Sequence, residues 1–152
     1  MMGYTKTIKG SHQPILDFVK EIGSYCIKAG ILESNKLTLR GKTPIAEYAF
    51  YNEFGTKNIP ERPFIGSSTD EDSKNWIKGL EKDSKKTMAG LMSLDDTLDN
   101  LGKKMKKSIK TKIKAITTPE NAPSTIKKKG FDNPLIDTGL MLETVDYEVI
   151  KK

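Results

Sequence analysis

The side chains that carry most acid–base and nucleophilic chemistry are nearly missing from this chain. It has one histidine, His12, and one cysteine, Cys26. One imidazole and one thiol fall short of the ligand set of a zinc site and give no supported Cys–His pair. His12 precedes Pro14 at the start of a helical pattern and reads as a surface residue. Cys26 has no partner for an intramolecular disulfide and reads as simple packing on a helix face. The carboxylates Glu33, Glu47, Glu53, Glu61 and Asp137 are scattered, and no spacing pairs them. Asp137-Thr138-Gly139 has the form of an aspartic-protease triplet. That chemistry needs two such aspartates from two lobes or subunits in a sheet-rich fold. Here the triplet follows a Pro-rich loop in a chain that reads as largely helical. No phosphate loop, nucleophile elbow or dinucleotide fingerprint is present. The expectation is a protein that is not an enzyme and uses no cofactor or metal.

Charge offers a different kind of chemistry. The 152 residues carry a formal net charge of +6, which suits a phosphate backbone or an acidic partner. Lysine dominates, and arginine occurs only at Arg40 and Arg62. Base reading leans on arginine forks, so any nucleic-acid contact should be sequence-independent. The candidate DNA-facing residues are Lys103, Lys104, Lys106, Lys107, Lys110 and Lys114. Their bland reading is a solvated helix face.

The elements that must position these groups follow from periodicity. Residues 1–10 permit a brief strand. Pro14 opens a helix, and Ile15, Phe18, Val19, Ile22, Cys26 and Ala29 recur at helical spacing up to Gly30, predicting a helix over 12–30. Over 36–54, Leu37 and Leu39 alternate with polar residues and an aromatic-rich run follows, predicting a strand pair. Helix is the rival reading for 45–54. Residues 54–67 form a loop with apolar residues that must be buried somewhere. A helical region is expected over 68–116, opened by a Ser68/Glu71 capping box. Its first stripe is Trp76, Ile77, Leu80, Met88 and Leu91, and Ser93/Asp96 caps a second helix after a break near 90–93. One long kinked helix is the alternative. Leu94, Leu98, Leu101, Met105, Ile109, Ile113 and Ile116 then make a narrow apolar seam beneath the lysines. A long loop spans 117–139, of a kind often tied to partners. Val145, Tyr147 and Val149 alternate in a closing strand over 143–150. The class is α+β: a small antiparallel sheet packed against an N-terminal helix and a long central helical region, with long loops, in a single domain. Hydrophobic residues make up 36% and charged residues 30%, polar enough to suit a chain with long exposed segments. No stretch reads as a signal peptide or a spanning helix.

Two blocks carry a family resemblance. The first runs Tyr48-Ala49-Phe50-Tyr51-Asn52-Glu53-Phe54-Gly55-Thr56, then Ile59-Pro60-Glu61-Arg62-Pro63-Phe64-Ile65. The second runs Asn121-Ala122-Pro123-Ser124-Thr125-Ile126, Lys129-Gly130, then Asn133-Pro134-Leu135-Ile136-Asp137-Thr138-Gly139-Leu140. In this order, with helix between, they resemble the phage tail-component and virion-morphogenesis proteins of the HK97 gp10-like type, over roughly residues 12–150. The family commonly carries a residue such as arginine just after the D-T-G triplet, where this chain has Leu140 and Met141.

The resemblance implies a structural virion protein of the head–tail junction, a neck or tail-completion subunit assembled in the host cytoplasm. It implies a homo-oligomeric ring of six or twelve copies joining the tail to the DNA-filled head. Its partners would be neighbouring neck, connector and tail-tube proteins, with genomic DNA in the channel as a sequence-independent contact. The alternative function is a sequence-independent DNA-binding protein using the Lys103–Lys114 face. The candidate interface or structural residues are Asn52, Glu53, Phe54, Gly55, Thr56, Pro60, Arg62, Pro63, Phe64, Pro134, Leu135, Ile136, Asp137, Thr138 and Gly139. Read physically, Gly55 permits a sharp turn and Phe64 anchors the core. Arg62 suits a forked contact to a carboxylate, with Glu53 the nearest candidate. Asp137 or Thr138 could satisfy backbone N–H groups in a turn.

Overall fold

The computed structural model describes residues 13–32, 36–39 and 41–152. His12, Glu33, Arg40 and the strand expected before residue 10 lie outside them. Pro14 sits in the first turn of α1 (Gln13–Gly23), as its missing N–H allows. The helix stops at Gly23, and β1 (Tyr25–Ile31) follows after one residue. The helix expected over 12–30 is therefore half strand, and Cys26 lies in β1 as a half-buried free thiol. The local spacing of Ile22, Cys26 and Ala29 fits a helix, but tertiary pairing overrides it. β1 is antiparallel to the last strand, β4 (Val145–Lys151), from Tyr25 opposite Lys151 to Ile31 opposite Val145. This partner is far away in the chain and invisible to a local window.

A small second ladder pairs β2 (Thr38–Leu39) with β3 (Thr43–Pro44). The second expected strand is absent: residues 45–54 form α2 (Ile45–Phe54), the rival reading. α2 buries Ile45, Ala49, Asn52 and Glu53, the i, i+4, i+7, i+8 face of a helix. α3 (Phe64–Met88) begins four residues before the expected capping box. Ser68 donates to Ile65 O inside the helix and caps nothing. The break falls at residues 89–93, where Gly90 takes φ 72°. Ser93 caps α4 (Leu94–Ala115) as expected, accepting from Asp96 N at 3.0 Å. The long loop over 117–139 contains a short helix, α5 (Pro123–Lys129). One further turn, α6 (Leu140–Thr144), leads into β4.

α3 and α4 form an antiparallel hairpin. Glu71 meets Lys112 (2.5 Å), Trp76 Nε1 donates to Ser108 Oγ (3.1 Å), and the Thr87 and Thr97 hydroxyls bond at 2.7 Å. Of the expected α3 stripe, Trp76 is buried, whereas Ile77, Met88 and Leu91 stay exposed. The α4 seam is better kept, with Leu98, Ile109 and Ile113 buried. The main core joins Ile45 and Ala49 of α2, Phe64, Ile109, Ile113, Leu135, Met141 and Val145. Phe64 and Leu135, one from each resemblance block, thus meet in one cluster.

A two-stranded sheet is marginal alone and needs a packing partner. α4 supplies it through Gly102, on which the Tyr147 ring lies. A Cβ at Gly102 would stand 2.7 Å from Tyr147 Cγ and nearer still to the ring edge. Gly102→Ala is therefore expected to destabilise by about 1–3 kcal/mol despite alanine's better helix propensity. Chemical denaturation reads this directly; an unchanged or raised midpoint would mean the ring does not rest on α4.

Candidate assembly surface

Arg62 is buried, at 4% exposure, and its guanidinium forms no ion pair with a carboxylate among the described residues. Nε donates to Pro119 O at 2.7 Å, and Nη2 to Glu120 O at 2.8 Å. Nη1 lies 3.5 Å from Asn52 Oδ1, and Asn52 Nδ2 in turn donates to Tyr48 O at 2.9 Å. Burial pushes the Arg62 pKa down from the ordinary arginine value, with Tyr48 and Asp132 opposing. The fork expected toward Glu53 instead clamps two main-chain carbonyls after α4. Rigid planar donors suit that task, since both oxygens are fixed.

Glu53 has its own role. Its carboxylate accepts from Ile65 N and Gly66 N, both at 2.8 Å. These N–H groups belong to the first turn of α3, where Pro63 offers no side-chain cap. A buried carboxylate from α2 thus satisfies orphan donors and faces the positive end of the helix. Between these anchors the loop turns at Gly55, with φ 71°. A Cβ there would meet Glu61 N at 3.1 Å and Ile59 O at 3.2 Å, so only glycine fits the turn. Thr56 N donates to Ile59 O and Arg62 N to Asn52 O, closing the loop on itself.

The second block is similarly divided. Pro134 and Leu135 are buried, Ile136, Asp137 and Gly139 half-buried, and Thr138 exposed. Thr138 Oγ1 accepts from Leu140 N at 3.3 Å, and Gly139 is left-handed, so the turn role falls to Thr138. No group of three or more His, Cys, Asp or Glu side chains that could hold a metal occurs among the described residues.

What these blocks leave outside is aromatic. Phe50 is 58% exposed and Phe54 64%, with ring centroids 4.8 Å apart. α2 therefore turns two phenyl rings to solvent while burying Asn52 and Glu53. Sequence reasoning chose Phe54 as a motif residue but missed Phe50; an apolar residue out of phase with Ile45 and Ala49 was the available signal. Thr56 and Pro60 are exposed beside it, and Pro63 is half-buried. α1 presents a separate apolar stripe, Ile15, Leu16 and Val19, each more than half exposed.

The six candidate lysines of α4 divide as well. Lys103 pairs with Asp99 at 2.5 Å, Lys106 with Asp146 at 2.9 Å, and Lys104 approaches Asp83 at 3.9 Å. Asp99 is held below its ordinary pKa by the Lys103 hydrogen bond and then by that from Tyr147. Asp146 is lowered by Lys106 first and by Tyr147 N–H second. Lys107, Lys110 and Lys114 form no ion pair with any described residue.

No protein-family model matches the chain, nor does any curated protein or solved structure. Among the described residues, no helix is long and apolar enough to cross a membrane.

Arg62→Lys removes the fork and leaves buried carbonyls poorly satisfied, for an expected loss of about 2–3 kcal/mol. Glu53→Gln keeps the shape but weakens the cap, costing about 1–2 kcal/mol. Urea denaturation ranks the two; a loss below about 0.5 kcal/mol at Arg62 would contradict its role as a clamp.

Proposed function

We propose that this chain is a structural subunit of a phage head–tail junction, forming a ring that joins the tail to the DNA-filled head. Two things support the reading. The resemblance blocks stand in family order, and their buried members interlock: Arg62 of the first holds carbonyls just ahead of the second, and Phe64 packs in one core with Leu135. The observation that carries most weight is the inverted polarity of α2, with Phe50 and Phe54 outward and Asn52 and Glu53 inward. A monomer gains nothing from exposing a pair of phenyl rings in contact, and such patches mark contact surfaces. Departures from local pattern are expected where function overrides stability.

The two apolar faces also suit the geometry of a ring. An isologous dimer needs one self-complementary patch, whereas a ring needs two different ones that meet head to tail. The α1 stripe and the α2 phenyl pair are two such patches. Each contact is small, but closure sums many of them.

Light scattering behind a sizing column, on the chain alone and with purified tails or heads, tests this. A discrete assembly of six or more copies is expected, formed unaided or on the template. Phe50→Ser with Phe54→Ser should abolish it while leaving the unfolding free energy within about 0.5 kcal/mol, because both rings are exposed. A chain that stays monomeric alone and also ignores heads and tails would contradict the reading.

A further inference from the structure

The lysine strip of α4 is not explained by ring assembly. Lys103, Lys107, Lys110 and Lys114 follow at i, i+4, i+7 and i+11, which places them on one face along about 16 Å of helix. With Lys106, Thr111 and Tyr147 they line a shallow groove of about 520 Å³. Five lysines line this groove, and two of them are paired with the carboxylates Asp99 and Asp146, so three positive charges remain in excess. Both carboxylates are engaged by Lys103 and Lys106, which leaves Lys107, Lys110 and Lys114 as the surplus. Like charges at i, i+3 and i, i+4 weaken a helix, so local stability does not account for the arrangement.

We infer that this strip grips the phosphate backbone of duplex DNA without reading its sequence. The composition of the groove favours that partner over an acidic protein. Among the described residues its lining holds no Val, Leu, Ile or Met, and Tyr147 is its one ring. Protein interfaces have an apolar centre and are depleted in lysine. Lysine ammonium groups are point charges on flexible stems, matched to a row of phosphates and poor at forked base recognition. Five of the six candidate lysines line the groove. Lys104 leaves the set, since it leans toward Asp83 on α3.

The test is fluorescence anisotropy of the full chain with two labelled random-sequence duplexes, titrated over a range of salt. Three surplus lysines predict a slope of log affinity against log salt of about −3 per protomer, and equal affinity for both sequences. Lys107→Gln, Lys110→Gln and Lys114→Gln together should lower affinity at low salt tenfold or more and flatten the slope. Lys74→Gln, Lys78→Gln and Lys127→Gln, exposed lysines elsewhere, serve as the matched control and should cost less than threefold. Circular dichroism verifies that each variant stays folded, and light scattering that the oligomeric state is unchanged. No binding to either duplex would overturn the inference, as would equal losses in the two lysine sets. Binding to polyglutamate without binding to DNA would also overturn it, assigning the strip to an acidic protein.

Discussion

Arg62 is a buried cation, and its burial is tolerable only because its N–H groups are taken up by fixed oxygens. The oxygens it takes are the carbonyls of Pro119 and Glu120, far away in the chain. Through that clamp the loop after α2 and the segment after α4 become one body. The chain entering α3 is held just beside it, where Glu53 closes the first turn. Without the clamp, the loop after α2 and the segment after α4 lose the hydrogen bonds that tie them together. The polar residues inside this protein therefore set which elements meet, and the apolar ones fill the space that results.

Much of this was legible in the sequence, and what was missed has physical causes. α4 was read correctly because its seam repeats over many turns and its cap is local, with Ser93 bonding Asp96 N. The break near Gly90 was legible for the same reason. β1 was missed because its stability lies in pairing with β4, and no local window contains both strands. α2 was read first as a strand because its aromatic residues suggested one. Its buried positions include Asn52 and Glu53, which a hydrophobic pattern counts as outside. The start of α3 was misplaced because its cap is a carboxylate from another helix, and Ser68 offered a plausible local substitute.

The partners expected for two of the candidate residues differ from those the structure gives them. Glu53 and Arg62 do not pair with each other; each satisfies backbone groups. That division separates what holds the fold from what faces outward. Asn52, Glu53, Arg62, Phe64, Pro134 and Leu135 are spent inside, and Phe50 and Phe54 are left on the surface. The lysines of α4 sort in the same manner, some bound to carboxylates and some without an ion pair to any described residue.

The most direct measurement is hydroxyl-radical footprinting of the free and assembled chain, read at single residues by mass spectrometry. Strong protection of Phe50 and Phe54 on assembly is expected, with Phe64 and Leu135 unchanged because they are already buried within the subunit. Phenyl rings that stay as reactive in the particle as in the free chain would contradict the claim that α2 exposes them for a partner.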